Sequence, residues 1–157
     1  VKKVCTLNEA VAQAESWRRQ GLSIALANGV FDLLHVGHVR YLQGAKMMAD
    51  RLIVAVNSDT STRLAKGPGR PVIPEEERAE LVEALWCTDA VVLFAEPDVR
   101  SVIRALRPDI HVKGTDYTIE SIPERSEVEA YGGRVAVAGD PKDHSTSDLV
   151  VRLRRLS

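Results

Sequence analysis

Apolar runs alternate with amphipathic segments along the chain, and the alternation predicts its elements. Asn8 to Arg19 has helical spacing and is closed by Gly21. Leu22–Ala27 is a continuous apolar run of strand length, and His38–Ala49 returns to helical spacing. Arg51–Val56 predicts a second strand, followed by a loop at Lys66-Gly-Pro-Gly-Arg-Pro71. Pro74 then precedes a helix over Glu75–Leu85, with three glutamates in its first turn to complement the helix dipole. Ala90–Phe94 predicts a third strand, Asp98–Leu106 a helix and Ile110–Val112 a short strand. Pro123–Tyr131 predicts a helix stopped by Gly132-Gly133, Arg134–Ala138 a strand and Thr146–Arg155 the final helix. Strand and helix taking turns in this way predict an α/β fold, a doubly wound parallel sheet with helices on both faces. The expected organisation is a single domain over residues 1–157, with residues 1–21 as an N-terminal helical extension. Ligands of such sheets bind beyond the carboxyl ends of the strands, near the switch in strand order.

Composition narrows the class. At 157 residues the chain can bury a sizeable core. Its formal net charge of -1 gives no case for bulk nucleic-acid binding. No apolar run is long enough to span a membrane and no secretory signal is visible. Two isolated cysteines, Cys5 and Cys87, make no disulfide framework and suit a reducing cytoplasm.

The candidate chemistry falls just after the strands. Asn28-Gly-Val-Phe-Asp-Leu-Leu-His-Val-Gly-His38 puts two histidines three apart between a strand and a helix. Backbone N–H groups and the positive end of the dipole favour phosphate there, and imidazoles can donate to phosphate oxygens. The same spacing could be half of a zinc site, but the cysteines are not spaced as a metal-binding pair, and His111 and His144 stand alone. Lys66 and Arg70 lie in a loop with Gly67 and Gly69 and could close over phosphate, or be plain solvated cations. Arg78 falls in an acidic helix, where an ordinary salt bridge is the alternative to a phosphate contact. Gly114 permits tight passage after Lys113, and Asp116 can accept from ribose or base donors. Ser145, Thr146 and Ser147 open the last helix, where hydroxyls can serve as a cap, as phosphate contacts, or as both.

Gly29-Val-Phe-Asp32 with His35-Val-Gly-His38 resembles the signature of the cytidylyltransferase-like nucleotidyltransferases. Tyr41-Leu42, Asn57-Ser-Asp59, Lys66-Gly67, Arg70-Pro-Val72, Arg78, Lys113-Gly-Thr-Asp-Tyr117 and Ser145-Thr-Ser147 follow in the order of that family. Within it the chain is most similar to the adenylyltransferases that make ADP-heptose from D-glycero-β-D-manno-heptose 1-phosphate. That activity is often the C-terminal half of a bifunctional kinase/adenylyltransferase, and the chain resembles that half standing alone. The resemblance implies that His35, His38, Lys66 and Arg78 act on the triphosphate. Gly29, Val30 and Phe31 would give backbone donors, with Lys113, Gly114, Asp116, Ser145, Thr146 and Ser147 completing the nucleotide site. Asp32, Asn57, Asp59 and Arg70 would serve the acceptor. Mg2+ is expected to enter with the triphosphate, since few acidic residues could cage it. The implied partners are ATP, or CTP, and a phosphorylated small molecule, in a homodimer or higher homo-oligomer supplied by a heptose kinase. The alternatives are a cytidylyltransferase for glycerol phosphate or a related alcohol or phosphonate, and a non-catalytic nucleotide-binding module. Thr115, Ala95-Glu-Pro-Asp98 and His144 depart from the heptose pattern.

Overall fold

The computed structural model describes residues 2–141 and 145–157. Six parallel strands form one sheet in the order β1-β4-β3-β2-β5-β6: β1 Val4–Cys5, β2 Ile24–Gly29, β3 Arg51–Asn57, β4 Ala90–Phe94, β5 Ile110–Lys113 and β6 Arg134–Val137. The register sets Ala27 against Val54 on one side and Val112 on the other. The chain winds outward from β2 through β3 and β4, then crosses to β5 on the other side of β2. The switch in strand order therefore lies between β2 and β5.

Alternate residues of each strand face opposite helix layers. Ile24, Leu26, Ile53, Ala55 and Val92 pack against α1 (Leu7–Arg19), α5 (Arg100–Leu106) and α6 (Arg125–Ala130). Ala25, Ala27, Leu52, Val54 and Val112 pack against α2 (Val36–Lys46) and α4 (Glu75–Glu83). The doubly wound parallel sheet expected from the alternation is therefore the one observed.

Three elements differ from expectation. The first residues are no appendage: β1 pairs with β4, and Ala10, Ala14 and Trp17 of α1 are buried in the core. Thr6 begins α1 with a reciprocal cap, accepting from Glu9 N while Glu9 accepts from Thr6 N. A further helix, α3 (Asp59–Lys66), stands where no element was expected. Its buried positions are Ser61 and Thr62, so it carries no apolar stripe to read. Finally, α7 (Thr146–Leu156) begins as expected but buries no residue fully. No helix among the described residues is long and apolar enough to cross a membrane.

Candidate active site

A cavity of about 450 Å³ opens over the carboxyl ends of β2, β3 and β5, at the switch in strand order. The α2 turn forms its centre. His35 is the N-cap of α2, and its Nδ1 accepts from Gly37 N at 3.1 Å. His38, three residues on, reaches back so that its Nδ1 accepts from His35 N at 3.3 Å. This is a capping box built from two imidazoles. The rings stack with centroids 3.8 Å apart. A ring that accepts at Nδ1 is left with Nε2 as its donor. Burial, and then the neighbouring His35, push the His38 pKa down to about 4, against a weaker pull from Asp32. His38 is thus a neutral donor at physiological pH. The sequence predicted bare backbone N–H groups at this helix start. The structure instead gives two of them, those of His35 and Gly37, to imidazole nitrogens.

The residues ahead of α2 hold this turn in a demanding shape. Phe31 (φ 55°) and Leu33 (φ 50°) are both in the left-handed region, which L side chains enter at a cost. The Phe31 ring is buried, meets His38 edge-on and stacks with Tyr41 at 6.5 Å. A Cβ on Gly29 would come within 3.2 Å of that ring and press it back, so glycine there lets the ring pack closely.

Asp32 lines the floor of the cavity, but its side chain is spent on the protein. It is 1% exposed, and its carboxylate accepts from Val72 N at 2.8 Å, Ile73 N at 3.0 Å and Arg70 Nε at 3.2 Å. Its backbone carbonyl accepts from Thr146 Oγ1 at 2.5 Å. Asp32 therefore fastens the segment after the Gly/Pro loop, and the start of α7, to the histidine turn. This shifts its expected role from orienting substrate or metal to holding the loop, since both carboxylate oxygens accept from the protein.

Arg78 is also corrected. It has no solvent exposure and does not line the cavity. Its guanidinium donates to Ile73 O, Val30 O and Asn57 O at 2.6–2.8 Å and to Asp59 Oδ1 at 2.8 Å. A fork so fully used is not available to phosphate. Asp59 is drawn to Arg78 rather than to the cavity, and its N–H donates to Glu75. The salt-bridge alternative is the geometry found.

The remaining predicted residues converge. Gly29, Val30, Phe31, Asn57, Lys66 and Arg70 line the cavity on and beside the β2–β3 side. Lys113, Gly114, Asp116, Ser145, Thr146 and Ser147 line it opposite. Lys66 ends α3 and is exposed; Gly67 (φ 88°) and Gly69 (φ 81°) follow in conformations that favour glycine. Ser145 caps α7, accepting from Asp148 N at 3.0 Å. The departure at Thr115 has a structural use: its hydroxyl donates to Asp140 O at 2.6 Å and ties the loop after β5 to the loop after β6. Asp140 also pairs with Arg40 of α2. Asn28, which reasoning from the residues did not assign, lines the cavity as well, at the end of β2. The Ala95–Asp98 loop lies off the cavity wall, and His144 lies outside the described residues.

Two adjacent imidazoles, the backbone of a strained turn and the cations Lys66, Arg70 and Lys113 form a wall suited to a polyphosphate. The cytidylyltransferase-like family model matches residues 26–152, which spans every one of these parts. The chain belongs to that family. As a member of it, the chain is a nucleotidyltransferase. Similar proteins include the bifunctional protein HldE of Methylobacillus flagellatus, 44% identical over 96% of this chain and 31% of its own length. The bifunctional protein HldE of Acidiphilium cryptum is 46% identical over 98% of this chain and 32% of its own. The chain thus spans about a third of the length of these curated relatives. A lipopolysaccharide core biosynthesis protein from Thermoplasma volcanium, solved as a crystal structure, shares the fold with a TM-score of 0.68. It is 28% identical and covers 78% of this chain and 100% of its own.

Proposed function

We propose that the chain transfers AMP from ATP to D-glycero-β-D-manno-heptose 1-phosphate, giving ADP-heptose and pyrophosphate. The observation that carries the transfer chemistry is the reciprocal imidazole cap, which aligns two Nε2–H donors beside one cavity. The choice of substrates rests on the heptose-type motifs, ordered from Asn28 to Ser147, and on the likeness to HldE.

A phosphate oxygen of the heptose 1-phosphate attacks the α-phosphorus of ATP. The bond from the α-phosphorus to the bridging oxygen breaks, and its electron pair leaves with pyrophosphate. The attacking oxygen is already anionic, so no protein base is required. His35 and His38 donate to the triphosphate oxygens that gain charge, at fixed positions that need no reorganisation during the step. Lys66 and Arg70 approach the phosphates from the β2–β3 side of the cavity, and Lys113 from the nucleotide side opposite. Closure of the Gly67–Gly69 segment would exclude water from the transfer. Arg78 and Asp32 act indirectly, by holding the turn and loop that present these groups.

Mg2+ fits as an ion carried by the triphosphate. Among the described residues no group of three or more His, Cys, Asp or Glu side chains could hold a metal, and the Asp32 and Asp140 carboxylates are engaged. The ion would take phosphate oxygens and water as ligands and neutralise the leaving group. A homodimer working in the cytoplasm, with a heptose kinase supplying the 1-phosphate, completes the proposal; the word bifunctional in the relatives' names supports that coupling.

The test is a panel of nucleoside triphosphates against heptose 1-phosphate and polyol phosphates, read by pyrophosphate release. ATP with heptose 1-phosphate should be the best pair, because a base that mismatches a buried edge leaves donors or acceptors unpaired. If CTP outperforms ATP with every acceptor, the cytidylyltransferase alternative replaces the heptose assignment. If no pair releases pyrophosphate while nucleotide still binds, the non-catalytic module replaces both.

A further inference from the structure

Behind Lys113 in the cavity wall lie two buried titratable groups that the transfer chemistry does not use, His111 and Glu124. His111 and Lys113 are two residues apart on β5, so their side chains leave the same face of the sheet. His111 is fully buried, Lys113 is 9% exposed and Glu124 is 4% exposed. Glu124 stands immediately before α6. Its Oε1 lies 3.9 Å from Lys113 Nζ, and its Oε2 lies 3.5 Å from His111 Nε2. Neither His111 nitrogen nor Glu124 Oε2 has a hydrogen-bond partner among the described residues.

A buried carboxylate is costly unless charge compensates it. Burial pushes the Glu124 pKa up, but His111 and Lys113 outweigh burial and bring it down to about 2. For Lys113 the balance runs the other way: burial lowers its pKa, and Glu124 opposes the fall. At 3.9 Å the pair is close enough for strong attraction but too long for a hydrogen bond. The ammonium sits 4.7 Å from the centre of the Tyr117 ring, and Lys113 lines the cavity. The titratable groups around it are Glu124 ahead of α6, His111 on its own strand, Tyr117 on the next loop and Tyr41 of α2. The Tyr41 hydroxyl donates to Val112 O, and burial keeps it protonated.

We propose that Glu124 is the positioning residue for Lys113: its buried carboxylate keeps the ammonium charged and aimed at the cavity without consuming its hydrogen bonds, leaving them for a polyphosphate. The inference rests on reading the cavity as the nucleotide site. Lys113 would then be a binding group held in reserve by a charge behind it.

Two measurements test this on the whole chain. The first follows the Lys113 side chain by NMR of labelled lysine as pH rises, without nucleotide. In Glu124→Gln the titration midpoint should fall by about one pH unit or more, the effect of losing an opposite charge at this distance. Glu124→Asp, shorter by one methylene, should fall part of the way, and serves alone if Glu124→Gln does not fold. The second measures affinity for a non-hydrolysable ATP analogue across the same pH range. Glu124→Gln should bind about threefold more weakly while Lys113 is protonated, from lost aim, and at least about tenfold more weakly above its new midpoint. Lys113→Arg, charged throughout, should abolish the dependence on residue 124. An unchanged Lys113 midpoint overturns the proposal, and so does an affinity loss that is the same at every pH. If wild type binds no triphosphate, the nucleotide reading fails, and the lysine titration still decides the role of Glu124.

Discussion

Arg78 and Lys113 are both buried cations beside one cavity, and they are used in opposite ways. The region around Arg78 is closed. Its guanidinium meets three backbone carbonyls and a carboxylate, joining β2, β3, α3 and the loop before α4. The region around Lys113 is left open. Its ammonium has a carboxylate at 3.9 Å, a ring face at 4.7 Å and no direct hydrogen bond among the described residues. Burial and charge are therefore poor guides to which cation meets a ligand. What separates the two is how many donors the protein has already used.

The largest effect should come from breaking the closed side. Arg78→Met leaves three carbonyls and Asp59 facing an apolar group, and should cost about 3–5 kcal/mol of stability. Arg78→Lys should recover little, because one ammonium cannot replace a planar fork. Urea unfolding measures both. A variant that unfolds normally but binds triphosphate poorly would return Arg78 to the phosphate site.

Next come the donors at the centre. His38→Ala, or His35→Ala, should lower turnover by about a hundredfold or more, as for the loss of a preorganised transition-state donor. Single-turnover kinetics on folded protein gives the number. Near-normal turnover in the double variant would remove the imidazoles from the mechanism.

Asp32→Asn sets an amide group against N–H donors that now meet a carboxylate. It should cost about 1–3 kcal/mol and raise protease sensitivity between residues 66 and 73. Cleavage of that segment at the wild-type rate would show that Asp32 does not fasten it.

The last effect is a pH dependence, small until the solution is acid. His38 titrates at about 4 in the folded protein against 6.5 ordinarily, so between those values the unfolded chain binds more protons. The His38 contribution is full above about pH 6.5 and is lost as pH falls towards 4. Unfolding curves across that window should show the slope for wild type and a flatter one for His38→Gln. Equal slopes would mean that His38 is not held neutral by the fold.

The comparison also explains what could be read from the residues alone. The sheet was legible because its central strands are continuous apolar runs, such as Leu52–Val56, separated by amphipathic helices. The two-residue strand Val4–Cys5 is too short to show a pattern, and α3 buries hydroxyls in place of an apolar stripe. His35 and His38 stood out at a strand-to-helix turn, Lys113 after a strand, Lys66 in a Gly/Pro loop and Ser145 at the start of the last helix. The roles of Asp32 and Arg78 did not, since their partners lie up to 114 residues away, in segments whose path the periodicity does not fix. Glu124 had no local signal at all: it pairs across the connection from β5 to α6.

The imidazole cap has one more consequence. The amides of His35 and Gly37 reach a bound anion only through the rings, by way of N–H to Nδ1 and then Nε2–H outward. Such chains polarise cooperatively, so a phosphate at the outer end strengthens the inner links. Nucleotide occupancy is thereby written into the first turn of α2, and slowed deuterium exchange at those two amides would be its local record.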